Sequence, residues 1–314
     1  MNIELCKYKG GAKSAFTFTF DDGCYRESSA EVIENYKRIY EATGVKIKAT
    51  VGITVGFMHE WIIKFWQEAV DNGYFEIGSH SVGHDIAFLE ETPYERRDED
   101  AKKSQELLRQ MYPGEKVETY ILAGGTYDAE GLLPLGKYYI GVRGNKDGIN
   151  YPGEIDWLDI KCFTAMLKRD TKEYTDYIDE TIKTGGWGMQ MNHWITHKAE
   201  DTFHSQNADT FHEECTYIGE KAKNGEIWIA SFGDAANYIR KYEKSTLSVS
   251  ESDGIYTAKI EGEGAKSDTP LTILVESDNK IEVSNNDGTK TAYEPQNGKI
   301  YLDVVDFIQF KELN

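Results

Sequence analysis

Cysteine is scarce in this chain, and the cysteines that occur follow no regular spacing. The 314 residues contain four of them, Cys6, Cys24, Cys162 and Cys215, and no C-x-x-C pair. Zinc-ribbon and thioredoxin signatures depend on closely paired thiols, so both are excluded. A chain of this length buries enough surface to fold without crosslinks, and a disulfide framework is therefore not expected.

Positive charge is also in short supply. Lys and Arg number 35 against 54 Asp and Glu, which gives a formal net charge of −19. Nucleic acids and anionic membrane surfaces both attract basic faces, so the sequence argues against either as a partner. The charge balance suits a protein that acts on a neutral or cationic partner.

Long apolar runs are absent from the sequence. No stretch approaches the ~20 apolar residues of a membrane span, and the first residues, MNIELCKYKGG, do not have the apolar core of a signal peptide. We therefore expect a cytoplasmic protein with no membrane partner, or an extracellular protein if a leader has been removed.

Apolar runs and amphipathic helical patterns alternate along most of the chain. Eight runs indicate strands, beginning with Ala15–Phe20, and helical patterns lie between them. This alternation predicts a parallel α/β arrangement, either a (β/α) barrel or a doubly wound sheet.

From about residue 245 the helical period disappears. Short alternating runs separated by Asx-Gly turns, at Asp253-Gly254 and at residues 286–288, indicate hairpins. The sequence therefore predicts an α/β domain over residues 1–244 and a small all-β accessory domain over residues 245–314.

Polar residues and a glycine stand just past the ends of several predicted strands. They are Asp21, Asp22, His80, Gly124, Arg143 and His193. In a (β/α) barrel the carboxyl ends of the strands share one face, where active sites lie. This arrangement favours the barrel over the doubly wound sheet and indicates a candidate active site at that face.

The residue types at this face suggest metal-assisted acid–base chemistry. His80 and His84 are four residues apart, so both imidazoles can meet one ion on a helical turn. With Asp22 they form a two-histidine, one-carboxylate set, which leaves positions open for water and substrate. Asp21 is then free to act as a base, and His193 is a candidate general acid. The alternatives are an ordinary Asp-Gly turn and hydrogen-bonded or capping histidines.

These motifs resemble those of the polysaccharide deacetylases, which are carbohydrate esterase family four and have a NodB-like domain. Residues 19–23 (TFDDG) match the family's T-F-D-D-G motif, and residues 79–84 (SHSVGH) match its H-[ST]-x-x-H motif. Residues 191–193 (MNH) are similar to its late L-x-H motif. The resemblance covers roughly residues 12–243 and implies a distorted (β/α) barrel.

The resemblance implies removal of acetyl groups from an acetylated carbohydrate, with N-acetyl amino sugars favoured over O-acetyl esters. It implies Asp22, His80 and His84 as metal ligands, Asp21 as the base and His193 as the acid. The expected cofactor is a divalent metal, most often zinc, although this ligand set also suits cobalt, manganese, nickel and iron.

The family's third motif is where the sequence departs from the resemblance. In place of R-P-P-Y-G stand residues 121–128 (ILAGGTYD), without the arginine and the prolines. The N–H of Gly124 is the predicted oxyanion donor. Arg143 is a candidate replacement for the missing arginine, with a surface salt bridge as the alternative. Trp157 is a candidate for stacking on sugar, with core packing as the alternative.

Two further functions stay open at this point. The altered third motif leaves room for a hydrolase of non-sugar amides on the same fold, and the β-rich C-terminal region leaves room for a catalytically inactive carbohydrate-binding protein. The complete set of candidate ligands and acid–base groups disfavours the inactive protein. The sequence does not indicate an oligomeric state.

Overall fold

The computed structural model of the protein describes residues 1–24, 27–198, 205–284 and 289–313. The chain divides into two compact units, Ser14–Ala236 and a second unit made of Met1–Lys13 with Asn237–Asn314. The turn predicted at residues 286–288 lies outside the described residues. In the part of the chain that is described, no helix combines the length and the apolar content needed to cross a bilayer.

Helices and strands alternate along the first unit, and strands dominate the second. The helices are α1 Glu27–Thr43, α2 Glu60–Asp71, α3 Tyr94–Met111, α4 Ala129–Leu132, α5 Thr171–Thr184, α6 Ala208–Lys223 and α7 Phe232–Glu243. The strands are β1 Asn2–Leu5, β2 Ser14–Phe20, β3 Ala49–Ile53, β4 Phe75–Ser79, β5 Thr119–Ile121, β6 Gly141–Arg143, β7 Phe163–Thr164, β8 Trp187–Asn192, β9 Trp194–Thr196, β10 Ser205–Asn207, β11 Ile227–Ile229, β12 Thr246–Ser252, β13 Ile255–Glu261, β14 Leu271–Glu276, β15 Ile281–Ser284, β16 Lys290–Tyr293, β17 Lys299–Val304 and β18 Phe307–Glu312. Short 3₁₀ segments are Lys9–Gly11, Val55–Phe57, Leu133–Lys137 and Glu263–Lys266.

The first unit is built on one parallel sheet. Its strand order is β6-β5-β4-β3-β2-β8-β7, and β11 pairs with the first half of β2. The outer strands meet through Ile160, whose backbone N–H donates to Val142 and whose carbonyl accepts from Gly144, both at 2.9 Å. Ile160 shortly precedes β7, the strand at the other edge of the sheet. The chain from Ile160 to β7 therefore links the two edges and closes the sheet. The predicted distorted (β/α) barrel is confirmed.

Strand β2 lies at the centre of the sheet because of its alternating sequence, SAFTFTF, in which all residues are buried. Phe18 and Phe20 point to the helical layer, where both rings contact the ring of Phe211. Thr19 points to the opposite face and donates a hydrogen bond of 2.7 Å to the carbonyl of Gln190. Each buried phenylalanine contributes about 2–3 kcal/mol to folding. The strand is therefore a rigid support for the two aspartates that follow it.

The second unit contains two antiparallel sheets, with strand orders β1-β14-β17 and β12-β13-β18-β15-β16. The hairpin of β12 and β13 turns at Asp253 and Gly254, whose φ angles are 52° and 77°. A two-residue turn with two positive φ angles matches the twist of the flanking strands. The β-rich character predicted for the C-terminal region is confirmed.

The N-terminal residues lie elsewhere than the sequence analysis placed them. The sequence predicts residues 1–13 as part of the α/β domain, whereas β1 pairs antiparallel with β14, with Ile3 opposite Val275. The partner strand is separated from β1 by almost the whole length of the sequence. A short strand carries no local signal of so distant a pairing. The domain boundary at residues 244 and 245 stays a prediction.

Candidate active site

The barrel brings most of the candidate residues to one edge of its sheet. Asp21 and Asp22 directly follow β2, His80 follows β4, Arg143 ends β6 and His193 follows β8. These are carboxyl ends of parallel strands, which meet at the same face of a barrel.

Asp22, His80 and His84 form a compact cluster of possible ligands. Asp22 Oδ1 lies 3.5 Å from His80 Nε2 and 3.5 Å from His84 Nε2. Ligand atoms about 2.1 Å from a tetrahedral ion stand ~3.4 Å apart, so the spacing fits a metal of that size. In the described part of the chain, the side chains of Asp22, His80 and His84 lie close enough together to bind one ion.

The environment of His80 supports the same interpretation. Its ring is almost fully buried, and Nδ1 lies 2.8 Å from the carbonyl oxygen of Ile121. That carbonyl can only accept, so Nδ1 carries a proton, and in the neutral ring Nε2 presents a lone pair toward Asp22. Nε2 is buried and makes no hydrogen bond to any described residue. A buried, unpaired acceptor beside a carboxylate is costly unless a cation joins them.

The charges around Asp22 keep it ionised. Burial by itself raises the pKa of this carboxyl group, but contact with His80 and the charges of His193 and His84 outweigh it and lower the pKa below its ordinary value. A carboxylate ligand must be deprotonated to bind a metal, so Asp22 is ready for that role at neutral pH.

Two of the three clustered residues have strained backbones. Asp22 has φ 71° and His84 has φ 62°, in the left-handed region that residues other than glycine rarely adopt. Hydrogen bonds hold the loop of His84 in place: its N–H donates to Ser81 Oγ at 2.8 Å, and the N–H of Val82 donates to Asp100 at 3.1 Å. Such strain persists only where the surroundings enforce it, and it concentrates at functional sites.

Asp21 is paired with Arg143. Arg143 Nη2 donates to Asp21 Oδ2 at 2.8 Å, and both side chains are buried. Burial lowers the pKa of Arg143, but the neighbouring Asp21 carboxylate overcomes this and raises it above its ordinary value. Asp21 Oδ1 is buried and has no hydrogen-bond partner among the described residues, so one oxygen is anchored and the other is available. Of the two predicted environments for Arg143, the structure shows a buried pair rather than a surface pair.

His193 lies close to both aspartates. It helps to lower the pKa of Asp22, and it lines a small cavity together with Asp21, Cys24 and Trp194. The cavity has a volume of about 10 Å³, which is close to the size that holds one water molecule.

Gly124 and Trp157 have different surroundings in the structure. Gly124 is exposed with φ +72°, and a Cβ built on it meets nothing within 4 Å, so the space beside its backbone is open. The ring of Trp157 instead packs 6.3 Å from that of Trp187, the first residue of β8. Asn192, next to the site, is ~16 Å further along that strand. Trp157 therefore contacts the residue that begins β8, whereas the candidate active site follows the end of that strand.

The groups that support these residues carry no recognisable signal in the sequence. Ile121 orients His80 through its backbone carbonyl, and Asp100 from α3 holds the loop of His84. A backbone acceptor carries no signature of its own. Asp100 lies in a polar helical stretch, where the sequence does not distinguish one half-buried carboxylate from its exposed neighbours.

A buried carboxyl group on α6 supports the strand that carries His193. Glu214 Oε2 accepts hydrogen bonds from Gln206 at 2.6 Å and from Gln190 of β8 at 3.2 Å. Burial raises the pKa of Glu214 from its ordinary 4.5 to about 8, although both amide hydrogen bonds lower it in part. At neutral pH this acid is therefore protonated in the folded chain.

Glu214→Gln is expected to remove a pH dependence of stability. The folded pKa exceeds the unfolded pKa, so the wild-type free energy of unfolding falls as pH rises from about 4.5 to about 8. A difference of about 1.4 kcal/mol per pKa unit predicts that the variant gains about 3 kcal/mol over wild type between pH 5 and pH 8. Urea unfolding at both values measures this, with Glu220→Gln on the exposed side of α6 as the control. Parallel pH profiles for wild type and Glu214→Gln would contradict it.

A match to a known protein family covers the segment that carries the candidate metal ligands. Residues 9–137 match the family described as polysaccharide deacetylase. No curated protein matches the chain.

Solved structures similar to this chain include three esterases or deacetylases. The family 4 acetyl xylan esterase from Clostridium thermocellum is 13% identical with a TM-score of 0.47, over 73% of this chain and 92% of that one. A CE4 esterase from Streptococcus mutans is 13% identical with a TM-score of 0.45, over 70% and 86%. The Bc1960 peptidoglycan N-acetylglucosamine deacetylase is 13% identical with a TM-score of 0.40, over 70% and 87%.

The matched segment contains the two most specific motifs of the sequence. It carries Asp21 and Asp22 after β2 and both histidines of the ligand cluster, and the barrel places them on one edge. Residues 9–137 of this chain are therefore similar to the polysaccharide deacetylase family.

Proposed function

We propose that this protein is a metal-dependent hydrolase that removes acetyl groups from an acetylated carbohydrate, with N-acetyl amino sugars preferred to O-acetyl esters. The observation that carries the proposal is the cluster of Asp22, His80 and His84 beside the buried pair of Asp21 and Arg143. Ligands, a base and its orienting cation stand within one small region, as hydrolysis of an amide or ester requires.

The cofactor of the proposed reaction is a divalent metal held by Asp22, His80 and His84. Zinc is the first choice, and cobalt, manganese, nickel and iron suit the same ligands. When bound, such an ion polarises a carbonyl group and lowers the pKa of water. The tautomer of His80, with its proton on Nδ1, leaves Nε2 free to bind.

Asp21 is the proposed base. Arg143 binds Asp21 Oδ2 and restrains the carboxylate, and Oδ1 is left to accept a proton from the attacking water.

His193 is the proposed acid and Gly124 the proposed oxyanion donor. An imidazolium at His193 delivers a proton to the departing nitrogen or oxygen, and its place between β8 and β9 puts it near Asp21. The N–H of Gly124 is proposed to stabilise negative charge on the carbonyl oxygen. The absence of a side chain there keeps the approach open to a bulky substrate.

Acetate release from matched substrates tests the proposal and its alternatives. Wild-type protein, supplied with Zn²⁺ or Co²⁺, is expected to release acetate from N-acetylated chito-oligosaccharides faster than from acetylated xylan. Turnover of simple acetamides without either sugar would favour the non-sugar amide hydrolase. No turnover of any substrate by a metal-loaded sample would indicate an inactive carbohydrate-binding protein.

A further inference from the structure

The loop that carries the second histidine of the ligand cluster contains two residues with strained backbones. In this segment, residues 81–84, here called the ligand loop, Ser81 has φ 72° and His84 has φ 62°. Neither residue is glycine, so both conformations are unfavourable unless the surroundings enforce them. The position of the His84 imidazole relative to Asp22 therefore depends on the groups that hold the ligand loop.

One side of the ligand loop is held by backbone groups. The N–H of Val55 donates to the carbonyl of Ser81 at 3.2 Å, and the N–H of Gly56 donates to the carbonyl of Val82 at 2.7 Å. Both donors belong to the 3₁₀ segment Val55–Phe57. A Cβ on Gly56 would lie 3.2 Å from the carbonyl oxygen of Val82, so this segment approaches the loop closely. These bonds occupy carbonyl groups and leave the N–H of Val82 for another acceptor.

The other side of the ligand loop is held by a side chain of α3. Asp100 Oδ2 accepts the hydrogen bond from the N–H of Val82 at 3.1 Å. Asp100 Oδ1 is buried and has no hydrogen-bond partner in the described part of the chain. A buried acceptor without a partner costs folding free energy. The arrangement is therefore poor for stability alone, and what it does achieve is to fix the loop.

The charge of Asp100 strengthens this contact. Burial raises the pKa of the Asp100 carboxyl group to about 6, and the N–H of Val82 lowers it in part. The charges of Asp85 and Arg96 act on this pKa in opposite directions. The group is therefore ionised at pH 7 and above, and an ionised acceptor forms a shorter and stronger hydrogen bond than a neutral one.

A second contact from α3 to the same region is much weaker. Arg96 Nη2 lies 3.6 Å from Asp85 Oδ2, just after the ligand loop, and both side chains are largely exposed. Exposed ion pairs of this kind contribute little. Asp100 is therefore the side chain through which α3 holds the loop.

We propose that Asp100 is a positioning residue for the metal, because its hydrogen bond to Val82 holds the ligand loop where His84 Nε2 faces the carboxylate of Asp22. The inference rests on the metal site proposed above, and it assigns Asp100 no contact with the ion or the substrate. Residues that orient a ligand from outside the coordination sphere change metal affinity by about 10–100-fold.

Three variants of α3 test the proposal by competition for Zn²⁺ with a chromogenic chelator. Asp100→Ala removes the acceptor and is expected to weaken Zn²⁺ binding by about 10–100-fold. Asp100→Asn keeps an acceptor oxygen for Val82 and is expected to bind Zn²⁺ almost as tightly as wild type. The matched control is Gln105→Ala: Gln105 is also buried on α3, but it donates to the carbonyls of Val117 and Tyr138 at 2.8 and 2.6 Å. This control is expected to melt at a lower temperature with unchanged Zn²⁺ affinity.

The outcomes separate positioning from a merely structural role. Wild-type affinity in Asp100→Ala, or an equal loss of affinity in Gln105→Ala, would overturn the proposal. Affinity as low in Asp100→Asn as in Asp100→Ala would also overturn it, because charge and not the hydrogen bond would then be the cause. Zn²⁺ affinity is measured without substrate, so a wild type that binds the ion but releases no acetate would reject the deacetylase and leave this role standing. A wild type that binds no Zn²⁺ would reject the metal site and this role together.

Discussion

Asp21→Asn is expected to lower kcat for acetate release by about 10²–10⁴-fold, the usual contribution of a general base. The amide retains the shape of the side chain and an acceptor for Arg143, but it cannot take a proton from water. Because the ligand cluster is untouched, the variant is expected to bind Zn²⁺ with wild-type stoichiometry. Steady-state kinetics and metal titration on the same preparation measure both.

The same substitution is expected to lower stability, because it leaves Arg143 buried without its counter-ion. Loss of one partner of a buried ion pair costs about 3–5 kcal/mol. The double variant Asp21→Asn with Arg143→Met removes both charges and is expected to recover stability without recovering activity. Asp234→Asn, which breaks an exposed pair with Lys48, is the control and is expected to change little. Retention of more than half of the wild-type kcat by Asp21→Asn would refute its role as the base.

His84→Asn is expected to abolish tight metal binding. Asparagine tolerates the left-handed backbone found at His84, so the fold is preserved while the imidazole is lost. Loss of a residue that only orients a ligand weakens metal affinity by about 10–100-fold, so loss of a direct ligand is expected to exceed that. Competition with a chromogenic chelator measures the affinity.

The matched control for this variant is His197→Asn. His197 is largely exposed and pairs with Glu31, outside the ligand cluster. Its metal affinity and acetate release are expected to equal those of wild type. Equal metal affinity in His84→Asn and wild type would remove His84 from the ligand set.

Much of the barrel could be predicted because its elements carry strong local patterns. The predicted strand Ala15–Phe20 lies within β2, and the alternation of apolar runs and helical patterns corresponds to a parallel sheet with helices between its strands. Alternation of aromatic and threonine residues in β2, and a proline before α3, act within a few residues. The clustering of Asp22, His80 and His84 was predictable for a similar reason, since a barrel must collect the ends of its strands at one face.

Features that depend on distant pairing were not predictable in the same way. Residues 1–13 join the second unit through β14, and Trp157 packs on Trp187 at the far end of β8. The hydrogen bond from His80 to a backbone carbonyl involves a group present in every residue. Arg143 was predictable only in part. Its position at the end of a strand indicated that it lies at the site, but its hydrogen bond to Asp21 depends on how the closed barrel brings distant strands together.

Metal titration with acetate release as the readout tests the central claim most directly. Protein freed of metal by a chelator is titrated with Zn²⁺ in the presence of N-acetylated chito-oligosaccharide. We predict no acetate release without metal and a linear rise to a plateau at one ion per chain. Acetate release that persists at full rate in the metal-free protein, or a fully metal-loaded protein that releases none, would contradict the account.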